Sequence, residues 1–156
     1  MTDRHDTHTV SEPSTEPGPA VLEERSVLGI FVHLIMLLPF GFVAVGLAYL
    51  LSDHEFTRQN ARNAINWTAF VLLSFLGGIA LFFVVAELTD RIALPGVVEF
   101  ALVVPALVVL LAVMAISLLA LLFPLVATAK AIFGSAWEYP FAPDFVGRVH
   151  AARQGN

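Results

Sequence analysis

The chain has no cysteine. Disulfides, thiolate metal centres and a cysteine nucleophile are therefore excluded, and the redox compartment cannot be read from it. Charge is also scarce. Only 13% of the 156 residues are Asp, Glu, Lys or Arg, where a soluble domain carries about a quarter. Cations are scarcest, 8 against 13 acids, and Lys130 is the single lysine. A net charge of −5 leaves no basic surface for phosphates, so nucleic acid is not an expected partner. No Gly-rich phosphate loop, Gly-x-Ser-x-Gly elbow or His-Glu-x-x-His pair occurs. His5, His8, His33, His54 and His150 never gather with acids at metal-ligand spacing. No catalytic, metal-binding or cofactor-binding residue is assigned, no cofactor is expected, and the chain is not expected to be an enzyme.

Apolar residues are abundant: 58% of the chain, with a mean hydropathy of +0.81. They fall into three uncharged runs, residues 27–51, 64–86 and 100–129. A spanning helix needs ~20 apolar residues to cross ~30 Å of hydrocarbon, and backbone in lipid must satisfy its own hydrogen bonds. The expectation is an all-α integral membrane protein of three transmembrane helices, forming a membrane domain over 26–133 with the lipid bilayer as its first partner. The third run would reach ~45 Å at 1.5 Å per residue, so it must tilt, protrude or bend, with Pro105 and Pro124 as candidate bend points. Small residues mark expected helix contacts: Gly41, Ala44 and Ala48 in the first run, Gly77-Gly78 in the second, Ala127 and Ala131 in the third. The same strips could serve a second copy or another membrane protein.

Residues 1–25 hold six acids, two cations and Pro13, Pro17 and Pro19. So little apolar surface cannot offset ordering entropy, and a disordered acidic tail is expected.

Before the second run lies a polar segment. Ser52-Asp53-His54-Glu55 reads as a capping box. At ~100° per residue, Glu55, Arg58, Gln59, Arg62, Asn63 and Asn66 share one face of an amphipathic helix. Carboxamides near hydrocarbon need partners. Arg58, Gln59, Arg62, Asn63 and Asn66 form a candidate polar interaction face, lining a cavity, docking a partner or simply meeting water.

After the third run Lys130 can snorkel to the interface and Gly134 can stop the helix. Residues 134–156 then form an interfacial tail rich in aromatics and proline. Lys130, Trp137, Glu138, Tyr139 and Pro140 are the candidate anchor, since Trp and Tyr favour headgroup depth and Pro140 and Pro143 favour an extended course. Three crossings put the first loop and the C terminus on one side, with five cations against three, and so in the cytoplasm of a multi-pass cell-membrane protein. This strap then shares a side with the polar stripe, so Glu138 or Tyr139 could meet Arg58, Arg62 or Asn63.

His33, Pro39, Arg62-Asn63-Ala64-Ile65-Asn66-Trp67, Ala129-Lys130-Ala131, Gly134 and Tyr139-Pro140 together resemble the Tic-twenty-like group of small membrane proteins, whose prokaryotic members form a domain family of unknown function. The resemblance covers roughly residues 26–145. It implies a multi-span helical membrane protein and, as one functional reading, a component of a translocation or channel complex with the polar stripe along a pathway. The reading from the residues themselves is a non-catalytic accessory or scaffold protein.

Overall fold

A computed structural model describes residues 25–154. The expected disorder of the acidic tail concerns residues that, apart from Arg25, lie outside this range. Among the described residues the chain forms five helices and no strand: α1 (Val27–Ile35), α2 (Gly41–Leu51), α3 (Glu55–Arg91), α4 (Gly96–Ile132) and α5 (Phe145–Gln154).

Two helices, α3 and α4, are long and apolar enough to cross a membrane. Each has 37 residues, ~56 Å at 1.5 Å per residue. Only 11% of the most apolar stretch of each is buried in the protein. A soluble core helix would bury that surface, and soluble monomers rarely expose apolar patches of this extent. The two helices pack antiparallel. A Cβ at Gly78 would lie 2.5 Å from Val113 Cγ2, so glycine permits their close approach, while Gly77 faces open space. Pro105 and Pro124 both stay inside α4. The polar helix expected before the second span is not separate: it is the first turns of α3.

The first run departs from expectation. It is not a third span but two short helices, of 9 and 11 residues. These measure ~14 and ~17 Å, each about one leaflet deep. Proline has no N–H to donate, and its ring collides with the carbonyl four residues back. For Pro39 that carbonyl belongs to Ile35, the last residue of α1. Ile35 O instead accepts from Leu38 N at 3.0 Å, and Gly41 N donates to Leu38 O at 2.9 Å. Phe40 takes the left-handed conformation (φ 64°) before α2 begins. A Cβ on Gly41 would sit 1.9 Å from Ile35 O, so only glycine fits the reversal. The turn thus bonds within itself.

Both open ends of this hairpin meet the same part of α3. Ser26 caps α1 by accepting from Gly29 N at 2.9 Å, and its hydroxyl also bonds Thr57. At the other end the Tyr49 ring lies 5.9 Å from the Arg58 guanidinium. Between them Val32, Val45, Ala61 and Ala64 form a buried core flanked by Ile35, Met36, Tyr49 and Ile65. The Arg25 guanidinium reaches Ile132 O at the end of α4. The start of α1, the end of α2, the start of α3, the end of α4 and α5 therefore gather at one end of the bundle. With two candidate spans rather than three, the two ends of the described chain lie at the same end of the bundle.

Candidate functional site

The gathered end holds most of the long-range polar side-chain contacts of the described residues. Gly134 (φ 81°) stops α4, with Ser135 N donating to Lys130 O at 3.0 Å and Gly134 N to Ala131 O at 2.9 Å, the double bond of a glycine helix stop. The chain then runs back across the bundle end as the strap, residues 135–144, and continues into α5.

Three contacts lock the strap. Asn63 Nδ2 donates to Trp137 O at 3.1 Å. Tyr139 plunges inward, 6% exposed, and its hydroxyl meets His33 Nδ1 at 2.9 Å. Arg62 grips Asp144 through both Nε (3.0 Å) and Nη2. Asp144 in turn caps α5, accepting from Gly147 N at 3.0 Å. Asn66 completes the cap: its Nδ2 donates to Asp144 Oδ1 and its Oδ1 accepts from Val146 N, each at 3.0 Å. The carboxamide that enters the apolar zone is thus satisfied at both ends.

The buried imidazole has a defined tautomer. Asn60 Nδ2 donates to Phe56 O at 2.9 Å, which turns Asn60 Oδ1 toward His33 Nε2, also at 2.9 Å. An amide oxygen only accepts, so Nε2 carries the proton. Nδ1 is then an acceptor, and the Tyr139 hydroxyl donates to it. His33, Asn60 and Tyr139 form a chain running from α3 through α1 to the strap. Tyr139 also stacks on Trp67 (5.2 Å, 4°), with Phe123 and Trp137 around them. Burial raises the Tyr139 hydroxyl above its ordinary pKa, keeping it protonated as the donor.

Beside the strap is a cavity of about 460 Å³, lined by Glu55, Gln59, Arg62, Asn63 and Asn66 on α3 and by Glu138, Tyr139 and Asp144 on the strap. Of the polar face expected from the sequence, Gln59, Arg62, Asn63 and Asn66 line it. Arg58 does not; it turns to Glu55 (3.9 Å) and the Tyr49 ring. The expected Ser52–Glu55 capping box does not form either. Ser52 Oγ accepts from His54 N at 3.2 Å, and Glu55, the first residue of α3, accepts from Gln59 at 3.0 Å. Of the candidate anchor, Lys130, Glu138 and Pro140 are exposed and Trp137 is half-buried. Tyr139 is a core residue, not a surface anchor, because its hydroxyl has a buried acceptor in His33. Asp144 and α5 were missed by the sequence reading. The signal was present: Pro143-Asp144 before a segment free of proline is a helix-start pattern.

The Arg62 guanidinium, first of all by its hydrogen bond, holds Asp144 down to about 2 from 3.8. A carboxylate depressed in the folded state stabilises docking above its ordinary pKa, and that contribution fades as pH falls toward the depressed value. Tryptophan fluorescence, reporting Trp67 and Trp137 together, is expected to be steady from neutrality to about pH 4 and to shift between about pH 4 and 2. Asp144→Asn should lack this step.

This architecture is that of a small helical membrane protein with two helices able to span a bilayer, a short apolar hairpin and an internally locked strap. A profile described as the magnetosome magnetite crystal formation protein family (MamF/MmsF) matches residues 24–146. The chain belongs to that family. The Tic-twenty-like resemblance drawn from His33, Pro39, Arg62 to Trp67, Ala129 to Ala131, Gly134 and Tyr139-Pro140 is thereby corrected. Those motifs are short and sit at membrane boundaries, where amides and aromatics serve any helical membrane protein. Searches of curated proteins and of solved structures found no match.

Proposed function

We propose that the protein acts without catalytic chemistry, as an accessory or scaffold component of a magnetosome membrane that takes part in magnetite crystal formation. The family match over residues 24–146 carries this reading. It is supported by the use of the polar side chains: Arg62, Asn63, Asn66, His33 and Asp144 each bond within the strap closure rather than aim free groups at a substrate. The test is deletion of the gene in its own cell, with crystals sized by electron microscopy. Altered crystals are expected, restored by the parent chain and equally by Glu138→Gln and Gln59→Leu, which line the cavity without holding the strap. Crystals unchanged by the deletion would refute the role. Failure of either folded variant to restore them would assign the cavity itself a part in the role.

The cations favour one orientation. Among the described residues, Arg25, Arg58, Arg62, Lys130, Arg148 and Arg153 belong to the gathered end, and Arg91 to the other. Six against one favours the gathered end in the cytoplasm. Reporters fused to the first and last residues are expected to read cytoplasmic together; reporters in opposite compartments would restore the three-span topology.

A further inference from the structure

We propose that the α1–α2 hairpin is a wedge in one leaflet, and that the partner it selects is a bilayer convex toward the strap end of the bundle. The bundle tapers. At the gathered end α1 and α2 pack beside α3 and α4, and the core that the hairpin shares with α3 reaches along α3 only as far as Ile65. Further along, the packing of α3 is against α4, as at Gly78 and Val113, and Leu72, Leu73, Leu76, Phe83 and Val84 are left exposed. Each helix is ~10 Å across with its side chains, so one half of the protein displaces about twice the lipid cross-section of the other. The hairpin is no aqueous lid. Residues 27–51 carry no charge, and its tip exposes Leu37, Leu38, Phe40 and Phe42, with Phe40 at 87%. These side chains require hydrocarbon, and helices of 9 and 11 residues reach through about one leaflet of it. An inclusion that adds area to a single leaflet mismatches a flat bilayer and fits one whose thicker-packed side is convex, as with other interfacial apolar inserts. If the gathered end is cytoplasmic, the favoured membrane is a closed vesicle inside the cell, whose outer leaflet faces the cytoplasm. That last clause rests on the orientation above; the wedge itself does not.

The experiment uses the full chain, dye-labelled and reconstituted into giant vesicles of phosphatidylcholine and phosphatidylglycerol, from which a narrow membrane tube is pulled. Protease access to the strap reports orientation. Molecules with the strap outward are expected to be several-fold denser in the tube than in the parent vesicle, and those with the strap inward depleted. Equal densities, or enrichment that ignores orientation, would overturn the proposal. Leu38→Ala, Phe42→Ala, Val43→Ala and Leu47→Ala, combined, thin the exposed hairpin face and leave the buried core untouched. This variant should lose much of the enrichment while keeping the parent's thermal unfolding; undiminished enrichment would remove the hairpin from the account. Should the quadruple variant fold poorly, the comparison of orientations in the parent chain still decides. Energy transfer between differently labelled copies covers the remaining occupant: pairing through the bare α3–α4 half that abolishes the curvature preference would make a second copy, not lipid, the partner. Reporters placing both ends outside the cell would defeat the orientation and leave the tube result standing.

Discussion

His33→Leu is expected to lower stability in detergent by about 2–5 kcal/mol, read as a shift of the thermal unfolding transition. Leucine fills much the same space and removes a buried imidazole, which taken alone is not costly. The cost falls on the partners. Asn60 Oδ1 and the Tyr139 hydroxyl both lose their bond in a fully buried setting, and each unsatisfied group costs ~1–3 kcal/mol. Tyr139→Phe is the informative comparison. It strands only His33 Nδ1 and keeps the stack on Trp67, so its effect should be about half as large. Equal losses in the two variants would mean that the hydroxyl bond, not the chain of three, dominates. His33→Leu with Tyr139→Phe and Asn60→Leu together should recover part of the loss, because polar groups removed as a set leave none unpaired.

The second large effect lies at the hairpin reversal. Gly41→Ala would bring a Cβ to 1.9 Å from Ile35 O, with Ile35 C and Met36 Cα at 2.8 and 2.9 Å. All three are backbone atoms, so no side chain can swing aside. The turn has to open, and Val32 and Val45 then lose their common core with Ala61 and Ala64. A loss above the ~1–3 kcal/mol usual for overpacking is expected. Gly46→Ala in the same helix is the control. Nothing lies within 4 Å of its added Cβ, and alanine in place of a helical glycine should stabilise by ~0.5–1 kcal/mol. Opposite signs at two glycines five residues apart, read by the same unfolding assay, would separate the geometric role from helix propensity.

Several features of the bundle were legible in the residues. Periodicity from Glu55 to Asn66 located the polar face, because 3.6-residue repetition is a property of the chain itself. Gly134 and Pro140 located the helix stop and the strap for the same reason: their backbone limits travel with them. What composition could not reveal was how residues 27–51 use their length. Twenty-five uncharged residues satisfy the count for a span, and a count is blind to a reversal. Pro39 was visible, but a proline is tolerated in membrane helices, as Pro105 and Pro124 demonstrate in α4. The difference lies in Gly41, whose backbone packs on Ile35 O. The pairing of Arg62 with Asp144 spans 82 residues and depends on where the strap lands. Topology supplied that, and the change from three crossings to two followed from the single misread run.

The strap is also synthesised after the hairpin and both long helices. Until Tyr139 leaves the ribosome, the imidazole of His33 faces an empty place where its donor belongs, although α1 was made more than a hundred residues earlier. Asn63 and Asn66 wait in the same way for Trp137 and Asp144. A chain that stops short of residue 137 therefore carries unmet amides and an unmet imidazole, a chemical mark that separates an unfinished product from a finished one.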